Sequence, residues 1–107
     1  MGEHGARFER ALAVWEKVCG PEHRNTNRVR SKFARLLLAA GNVARAVTFG
    51  EAALANHEKA LGQHHPWTKD SAAVTADALH SQGRTEEAAD LRTRYGIEML
   101  GPGLIST

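Results

Sequence analysis

The hydrophobic residues of this chain recur at spacings of three and four, which is the pattern of one face of an α-helix. The first stripe of this kind consists of Phe8, Leu12, Trp15 and Cys19. It predicts a helix over residues 6–19. Gly20-Pro21 ends this helix, because glycine suits the position after a helix and proline cannot continue one.

The same spacing predicts four further helices, which cover about residues 25–40, 43–61, 66–82 and 84–95. Pro66 fits the first turn of its helix, where the missing N–H group is not needed. No segment alternates in the way of a β-strand, so we expect an all-α domain over residues 6–95. Residues 96–107 are expected to form a C-terminal tail. Its apolar side chains are candidates for docking on a neighbouring surface, and they are Met99, Leu100, Leu104 and Ile105.

The chain also repeats itself with a period of 42 residues. Identical residues at this offset include Glu9/Glu51, Ala11/Ala53, Leu12/Leu54, Glu16/Glu58, Lys17/Lys59, Gly20/Gly62, His23/His65, Thr26/Thr68, Ala34/Ala76, Leu37/Leu79, Gly41/Gly83 and Ala46/Ala88. A period in this range is typical of one supersecondary unit stacked on copies of itself. Such stacks usually present a surface to a partner and do not enclose a catalytic pocket.

Small residues and turn residues recur within each unit. In the first unit they are Ala34, Gly41, Ala46 and Ala53, with the bulkier Phe33 and Leu37 beside them. This arrangement resembles the tetratricopeptide repeat, whose paired helices need short side chains where they cross. The 42-residue period resembles the kinesin-light-chain-type variant of that repeat. So do the phrases Ala-Leu-Ala-Val-Trp-Glu-Lys-Val-Cys-Gly-Pro-Glu-His and Ala-Leu-Ala-Asn-His-Glu-Lys-Ala-Leu-Gly-Gln-His-His-Pro.

The resemblance covers residues 8–95 and implies a right-handed solenoid of helical hairpins, with five helices and about two and a half repeats. The helix over 6–19 is then the second helix of a pair, and complete pairs follow over 25–61 and 66–95. The family also implies a non-enzymatic scaffold. Such a scaffold binds a peptide or protein segment in a concave groove, lined by the first helix of each pair.

Helical phase and the family pattern place nine residues in this groove: Arg28, Ser31, Lys32, Arg35, Leu38, Asp70, Ala73, Asp77 and His80. Kinesin-light-chain-type repeats usually carry paired asparagines here, whereas this chain has Ser31-Lys32 and Ala73-Val74. The 42-residue offset sets Arg28 beside Asp70 and Arg35 beside Asp77. We expect two ion pairs between repeats, and the alternative is a bipolar groove for a ligand of mixed charge.

Charge is distributed unevenly along the chain. The net charge is +5 over residues 1–50 and −3 over residues 51–107. The segment from Arg24 to Arg35 contains five cations and no acidic residue. This segment makes a nucleic-acid-binding helical module the alternative function. We favour a solvated helix face with local ion pairs, because no glycine-aromatic strand motif or zinc-finger spacing accompanies the charge.

Composition and candidate chemistry exclude several classes of protein. The chain has 107 residues, which suits one domain with a modest core. Its single cysteine, Cys19, cannot form an internal disulfide, and the chain shows neither a signal-peptide pattern nor an apolar run of membrane-spanning length. We therefore expect a cytoplasmic protein without membrane contact. Cys19 has no activating base nearby in sequence, so we expect no nucleophilic catalysis.

The six histidines do not have the spacing of a metal site, so no metal or cofactor is expected. His23 and His65 recur at the repeat period just before a helix, which favours loop packing or capping. The apolar residues of the first helix lack a preceding partner helix. We expect Phe8, Leu12 and Trp15 to mediate self-association, most simply as a two-fold dimer. The alternative is that a preceding repeat of a longer array covers them.

Overall fold

A computed structural model describes the backbone of residues 2–97 and the side chains of residues 6–97. The five helices are α1 (Gly2–Cys19), α2 (Arg24–Ala39), α3 (Val43–Leu61), α4 (Pro66–Ser81) and α5 (Thr85–Tyr95). The prediction of an all-α chain is confirmed for this range. The apolar tail residues that were candidates for docking, Met99, Leu100, Leu104 and Ile105, lie outside the described residues.

Helix boundaries agree with the hydrophobic pattern except at the start of α1. The bounds of α3 are those predicted, those of α4 and α5 differ by one residue at one end, and α2 is shifted by one residue at both ends. Helix α1 begins at Gly2, four residues before the predicted start. The segment Gly2-Glu3-His4-Gly5 contains no apolar residue, so periodicity could not include it in the helix.

The turns before α2 and α4 are built in the same way, 42 residues apart. Gly20 and Gly62 have φ values of 95° and 91°, which an L side chain rarely adopts. In each turn a histidine then caps the next helix. His23 Nδ1 accepts a hydrogen bond from the Asn25 N–H group, and His65 Nδ1 accepts one from the Trp67 N–H group, each at 3.0 Å. The predicted capping role of these two histidines is confirmed.

The helices pack in two layers. Each helix contacts the next one along the chain, and short turns of three or four residues make such neighbours antiparallel. Helix α2 also packs against α4, whereas the backbones of α3 and α5 are farther apart, and these two helices meet through side chains such as Glu58 and Tyr95. Thus α2 and α4 form one layer, and α1, α3 and α5 form the other.

Alanines allow the helices of this core to approach closely. Ala34, Ala46, Ala53, Ala76 and Ala88 are all fully buried. Larger side chains fill the space around these crossings, and Phe33, Leu37 and Leu79 are the main ones. A methyl group at a crossing point permits a short distance between helix axes, which a longer side chain would increase. These alanines therefore determine how the layers meet.

Equivalent positions in the two repeats are packed by residues of very different size. A Cβ atom added at Gly50 of α3 would lie 2.5 Å from Thr75 Oγ1 of α4, so these helices meet closely. The residues 42 positions earlier are Phe8 and Phe33, whose stacked rings have centroids 6.1 Å apart. The repeat therefore conserves the contact between the helices, while the side chains at the contact determine its spacing.

Candidate protein-binding groove

The predicted groove residues lie mainly around one depression between α2 and α4. This cavity of about 190 Å³ is lined by Arg28, Ser31, Lys32, Arg35, Asp70, Ala73 and Val74. Six of the nine predicted residues are therefore brought together. Leu38, Asp77 and His80 lie outside this lining, and Val74 is a lining residue that was not predicted. Both helices contribute side chains, because α2 and α4 are neighbours in the same layer.

Two ion pairs join the helices across this depression. Arg28 Nη1 lies 2.8 Å from Asp70 Oδ2, and Arg35 Nη1 lies 2.7 Å from Asp77 Oδ2. The predicted inter-repeat pairs are therefore formed. The Arg28 guanidinium also lies 5.0 Å from the centroid of the Trp67 ring, which adds a cation–π contact.

The second pair belongs to a larger network than the first. Asp77 accepts a further hydrogen bond from Arg92 of α5, at 2.9 Å from Arg92 Nη2 to Asp77 Oδ1. The Arg92 side chain is 13% exposed, whereas the Asp70 side chain of the first pair is 61% exposed. An exposed pair contributes at most about 1 kcal/mol to stability. The Arg28–Asp70 pair therefore orients side chains in the groove more than it stabilises the fold.

The lining of the depression carries an excess of positive charge. Arg28, Lys32 and Arg35 contribute cations, and Asp70 contributes one carboxylate. Lys32 is exposed and makes no ion pair with any side chain in residues 6–97. An acidic side chain in the groove would therefore find a cation available beside it.

A second, larger depression lies between α3 and α5 and was not anticipated from the sequence. Its volume is about 550 Å³, and its apolar lining includes Leu54, Leu91 and Tyr95. The Tyr95 hydroxyl donates a hydrogen bond to the Glu58 carboxylate at its edge. Burial, followed by this bond, raises the pKa of Tyr95 to about 12. The early end of α5 at Gly96 is the sequence feature that could have predicted this depression. A short α5 leaves the last turns of α3 without a parallel neighbour.

The first helix presents a different face to solvent from the one expected. Leu12 is only 6% exposed, and the Phe8 ring stacks on Phe33 of α2. Of the three residues of the predicted self-association face, Leu12 is thus buried within the chain, whereas Phe8 and Trp15 are half-buried. The exposed large apolar residues of α1 are Val14 at 59% and Val18 at 74%. The expectation that Leu12 offers an open surface is therefore corrected, because α2 already covers it.

The described residues contain no arrangement typical of a metal site. No group of three or more histidine, cysteine, aspartate or glutamate side chains comes together within residues 6–97. Cys19 is a half-buried free thiol in that same part of the chain. Among the described helices, none is long and apolar enough to cross a membrane.

Comparison with known families agrees with this architecture. The family model of the tetratricopeptide repeat matches the chain twice, over residues 5–59 and 26–94. These matches cover most of the sequence, so the chain belongs to the tetratricopeptide repeat family. The five helices of residues 2–97 form the helical hairpins of such a solenoid. Repeats of this family generally mediate protein–protein interaction and are typically non-enzymatic scaffolds. A search of curated proteins finds no match to this chain.

Proposed function

We propose that this chain is a non-enzymatic interaction module that holds a segment of a partner protein in the groove between α2 and α4. The observation that supports this most directly is one depression lined by the first helices of two successive repeats. Arg28 and Asp70 are held across it at 2.8 Å, so the polar groups at its edge are already oriented. Orientation before binding lowers the entropy that association must offset.

The lining also indicates which segments would fit. A ligand with an acidic side chain could place it beside Lys32, which has no carboxylate partner among the described residues. Ser31 and Ala73 offer no carboxamide that could hold a ligand backbone from both sides. Recognition would therefore depend on ligand side chains, and we expect acidic segments to be preferred over neutral ones.

The nucleic-acid alternative finds less support. Within the basic segment, Arg28, Arg30 and Arg35 each pair with a carboxylate of this chain. Asp70 also lies in the same depression, where it would repel a phosphate backbone. Neutralised cations release few counterions on binding, so they contribute little to nucleic-acid affinity.

The finer assignment to the kinesin-light-chain type is part of the same proposal. It is supported by the matched turns, in which Gly20 and Gly62 are followed by the capping residues His23 and His65 at the 42-residue offset. A cytoplasmic location is also proposed. It is supported by the single free thiol, Cys19, which a reducing compartment would keep intact.

Selection from a displayed library of random peptides tests the proposed groove. Enriched peptides would be measured against the wild-type chain, Ala73→Glu and the matched control Ala60→Glu. Ala73 lines the groove, whereas Ala60 is an exposed residue of α3 outside that lining. We expect Ala73→Glu to weaken binding about tenfold or more, because it places a carboxylate beside Asp70. Ala60→Glu should leave affinity unchanged.

The proposal fails if the selection yields no binding peptide, or if the enriched peptides bind Ala73→Glu as well as they bind the wild type. A fluorescent oligonucleotide, titrated at physiological salt, tests the alternative in the same assay. Tight binding that Ala73→Glu does not alter would favour nucleic acid over a protein segment.

A further inference from the structure

The outer face of α1 carries a stripe of exposed and half-buried residues that points away from α2. This α1 stripe consists of Arg7, Ala11, Val14 and Val18. Their spacings of four, three and four place them on one line along a helix. Val14 and Val18 are the most exposed large apolar side chains in the described part of the chain. Beside the first turn of the stripe lies an apolar cavity of about 230 Å³, to which Phe8 and Val29 contribute.

Most of the equivalent stripe one repeat later is covered by a helix. Adding 42 to each number gives Phe49, Ala53 and Asn56 of α3, which are buried or half-buried, and Ala60, which is exposed. The Phe49 ring packs edge-on against Phe33 of α2, with centroids 5.1 Å apart. Asn56 Nδ2 donates a hydrogen bond to Asn27 Oδ1 of α2 at 3.1 Å. Ala53 lies between these two contacts and is fully buried, so α2 lies along the stripe from Phe49 to Asn56 and leaves Ala60 exposed.

No helix within residues 2–97 takes the corresponding place beside α1, which packs against α2 and is joined to α3 by the Glu9–Arg45 ion pair. The repeat geometry therefore defines what would fit there. One further helix, lying along α1 as α2 lies along α3, would cover Ala11 and Val14 and fill the apolar cavity. The α1 stripe and its counterpart on α3 lie on equivalent helices of successive repeats. A helix that covers the α1 stripe should therefore pack on α1 as α2 packs on α3.

Charge distinguishes the α1 stripe from its covered counterpart. Arg10 and Lys17 lie four and three residues from Val14, so they flank the stripe on the helix surface. Lys32 of α2 borders the apolar cavity, as does Arg7. None of these four cations makes an ion pair with a side chain in residues 6–97. The equivalent positions on α3 and α4 hold one cation, Lys59, among apolar residues.

A second copy of this chain is a poor match for such a surface. Two-fold pairing of α1 stripes would bring the cations Arg7, Arg10 and Lys17 of both copies close together, which like charge opposes. Helix α2, the type of helix that covers the equivalent stripe, contains no aspartate or glutamate. If α2 of a second copy lay on the α1 stripe, the cations of that α2 would therefore meet the cations beside the stripe.

We propose that the α1 stripe is a docking site for an acidic amphipathic helix of another protein. Apolar side chains of that helix contact Val14 and enter the cavity beside Phe8. Its carboxylates pair with the flanking cations on α1 and with Lys32. This site shares Lys32 with the groove between α2 and α4, but its other residues differ, and it does not depend on the function proposed for that groove.

A peptide derived from α2 provides the probe. It has the sequence of residues 24–39 with all five cations replaced by glutamate, and a side-chain staple on its outward face keeps it helical. The unmodified basic sequence, stapled in the same way, is the control peptide. Binding to the full chain would be measured by fluorescence anisotropy. We expect the acidic peptide to bind about tenfold or more tightly than the basic one, and added salt to weaken it.

Two variants locate the binding site. Val14→Asp should weaken the acidic peptide about tenfold or more, because it places a charge in the apolar stripe. The matched control Ala89→Asp introduces the same charge at an exposed position of α5, a helix that does not pack against α1. It should leave binding unchanged, as should the groove variant Ala73→Glu. Val14 and Ala89 are both exposed, so circular dichroism should show an intact fold for each variant.

Several results would overturn this inference. One is failure of the acidic peptide to bind at about 1 mM, a concentration at which even weak contacts are populated. Another is equal binding to Val14→Asp and to the wild type. Loss of binding in Ala73→Glu would assign the peptide to the groove. A dimer of the wild-type chain in sedimentation, abolished by Val14→Asp, would show that a second copy occupies the stripe.

Discussion

At the scale of single residues, His57 illustrates how one buried polar side chain joins three helices. The imidazole of this α3 residue is fully buried. Its Nδ1 atom lies 2.8 Å from Ser71 Oγ of α4, and its Nε2 atom lies 3.0 Å from the Arg24 carbonyl oxygen of α2. Both ring nitrogens therefore have partners, as a buried polar group requires.

Burial is the main cause that lowers the pKa of His57 below its usual 6.5. The neighbouring Arg28 and His65 lower it further, whereas the Arg24 carbonyl and Asp70 act in the opposite direction. Because the folded chain holds this proton less tightly than the unfolded chain, acid favours unfolding. The contribution of His57 to stability is fully present above pH 6.5 and is lost as the pH falls from there towards the lowered pKa.

We therefore predict that the melting temperature falls when the pH is lowered from 7 to 5, and that His57→Gln reduces this dependence. Glutamine keeps a donor and an acceptor but does not titrate. His57→Gln should lower the free energy of unfolding by about 1–3 kcal/mol at pH 7, because glutamine cannot reproduce both hydrogen bonds. Thermal unfolding across this pH range measures both effects. The exposed loop residue His64, changed to glutamine, is the control, and an equal effect of the two variants would contradict the role of His57.

At the scale of helices, the contact between α3 and α4 depends on the absence of a side chain at Gly50. A Cβ atom there would approach Thr75 Oγ1 to 2.5 Å and the Thr75 Cα atom to 3.3 Å. Thr75 cannot easily move aside, since its hydroxyl donates a hydrogen bond to the Ser71 carbonyl at 2.7 Å. Glycine weakens an isolated helix, so its presence here reflects the packing.

Gly50→Ala should destabilise the fold by about 1–3 kcal/mol, even though alanine gains about 1 kcal/mol in helix propensity. The second-site change Thr75→Ala should recover part of this loss, because it removes the nearest atom. Urea unfolding would measure the free energies. Ala55→Gly, at an exposed position of the same helix, reports propensity alone and should cost about 1 kcal/mol. A stabilising Gly50→Ala change would contradict the close contact.

At the scale of the whole molecule, the Arg28–Asp70 pair joins repeats that are 42 residues apart. It is easier to measure than the Arg35–Asp77 pair, because Asp77 interacts with both Arg35 and Arg92. The question is whether this link stabilises the stack or keeps its charges available for a ligand.

We expect a double-mutant cycle on Arg28→Asp and Asp70→Arg to give a coupling free energy below about 1 kcal/mol. The double variant should then recover part of the stability that each single variant loses. Denaturant unfolding supplies the four free energies. Arg28→Asp combined with Asp90→Arg, on the exposed face of α5, should be additive. If the first cycle also shows no coupling, the pair does not hold the repeats together, and its charges are left for a partner.

Local patterns in the sequence account for the helices, their order and the turns between them. Hydrophobic periodicity indicates which residues share the buried face of one helix, and glycine indicates where that helix ends. The 42-residue offset also predicted contacts between different helices. It correctly paired Arg28 with Asp70, because equivalent residues of stacked units are neighbours in space.

Tertiary packing decided which faces remained open. The spacing of Leu12 and Val14 showed that each lies on some face of α1, but only the position of α2 showed that Leu12 is covered and Val14 is not. The depression between α3 and α5 likewise depends on where α5 ends relative to α3. Helical periodicity is a property of one element, whereas an open surface is defined by the elements that surround it. The sequence alone therefore determined the class of fold and the groove helices, and the three-dimensional packing determined which surfaces were left to meet a partner.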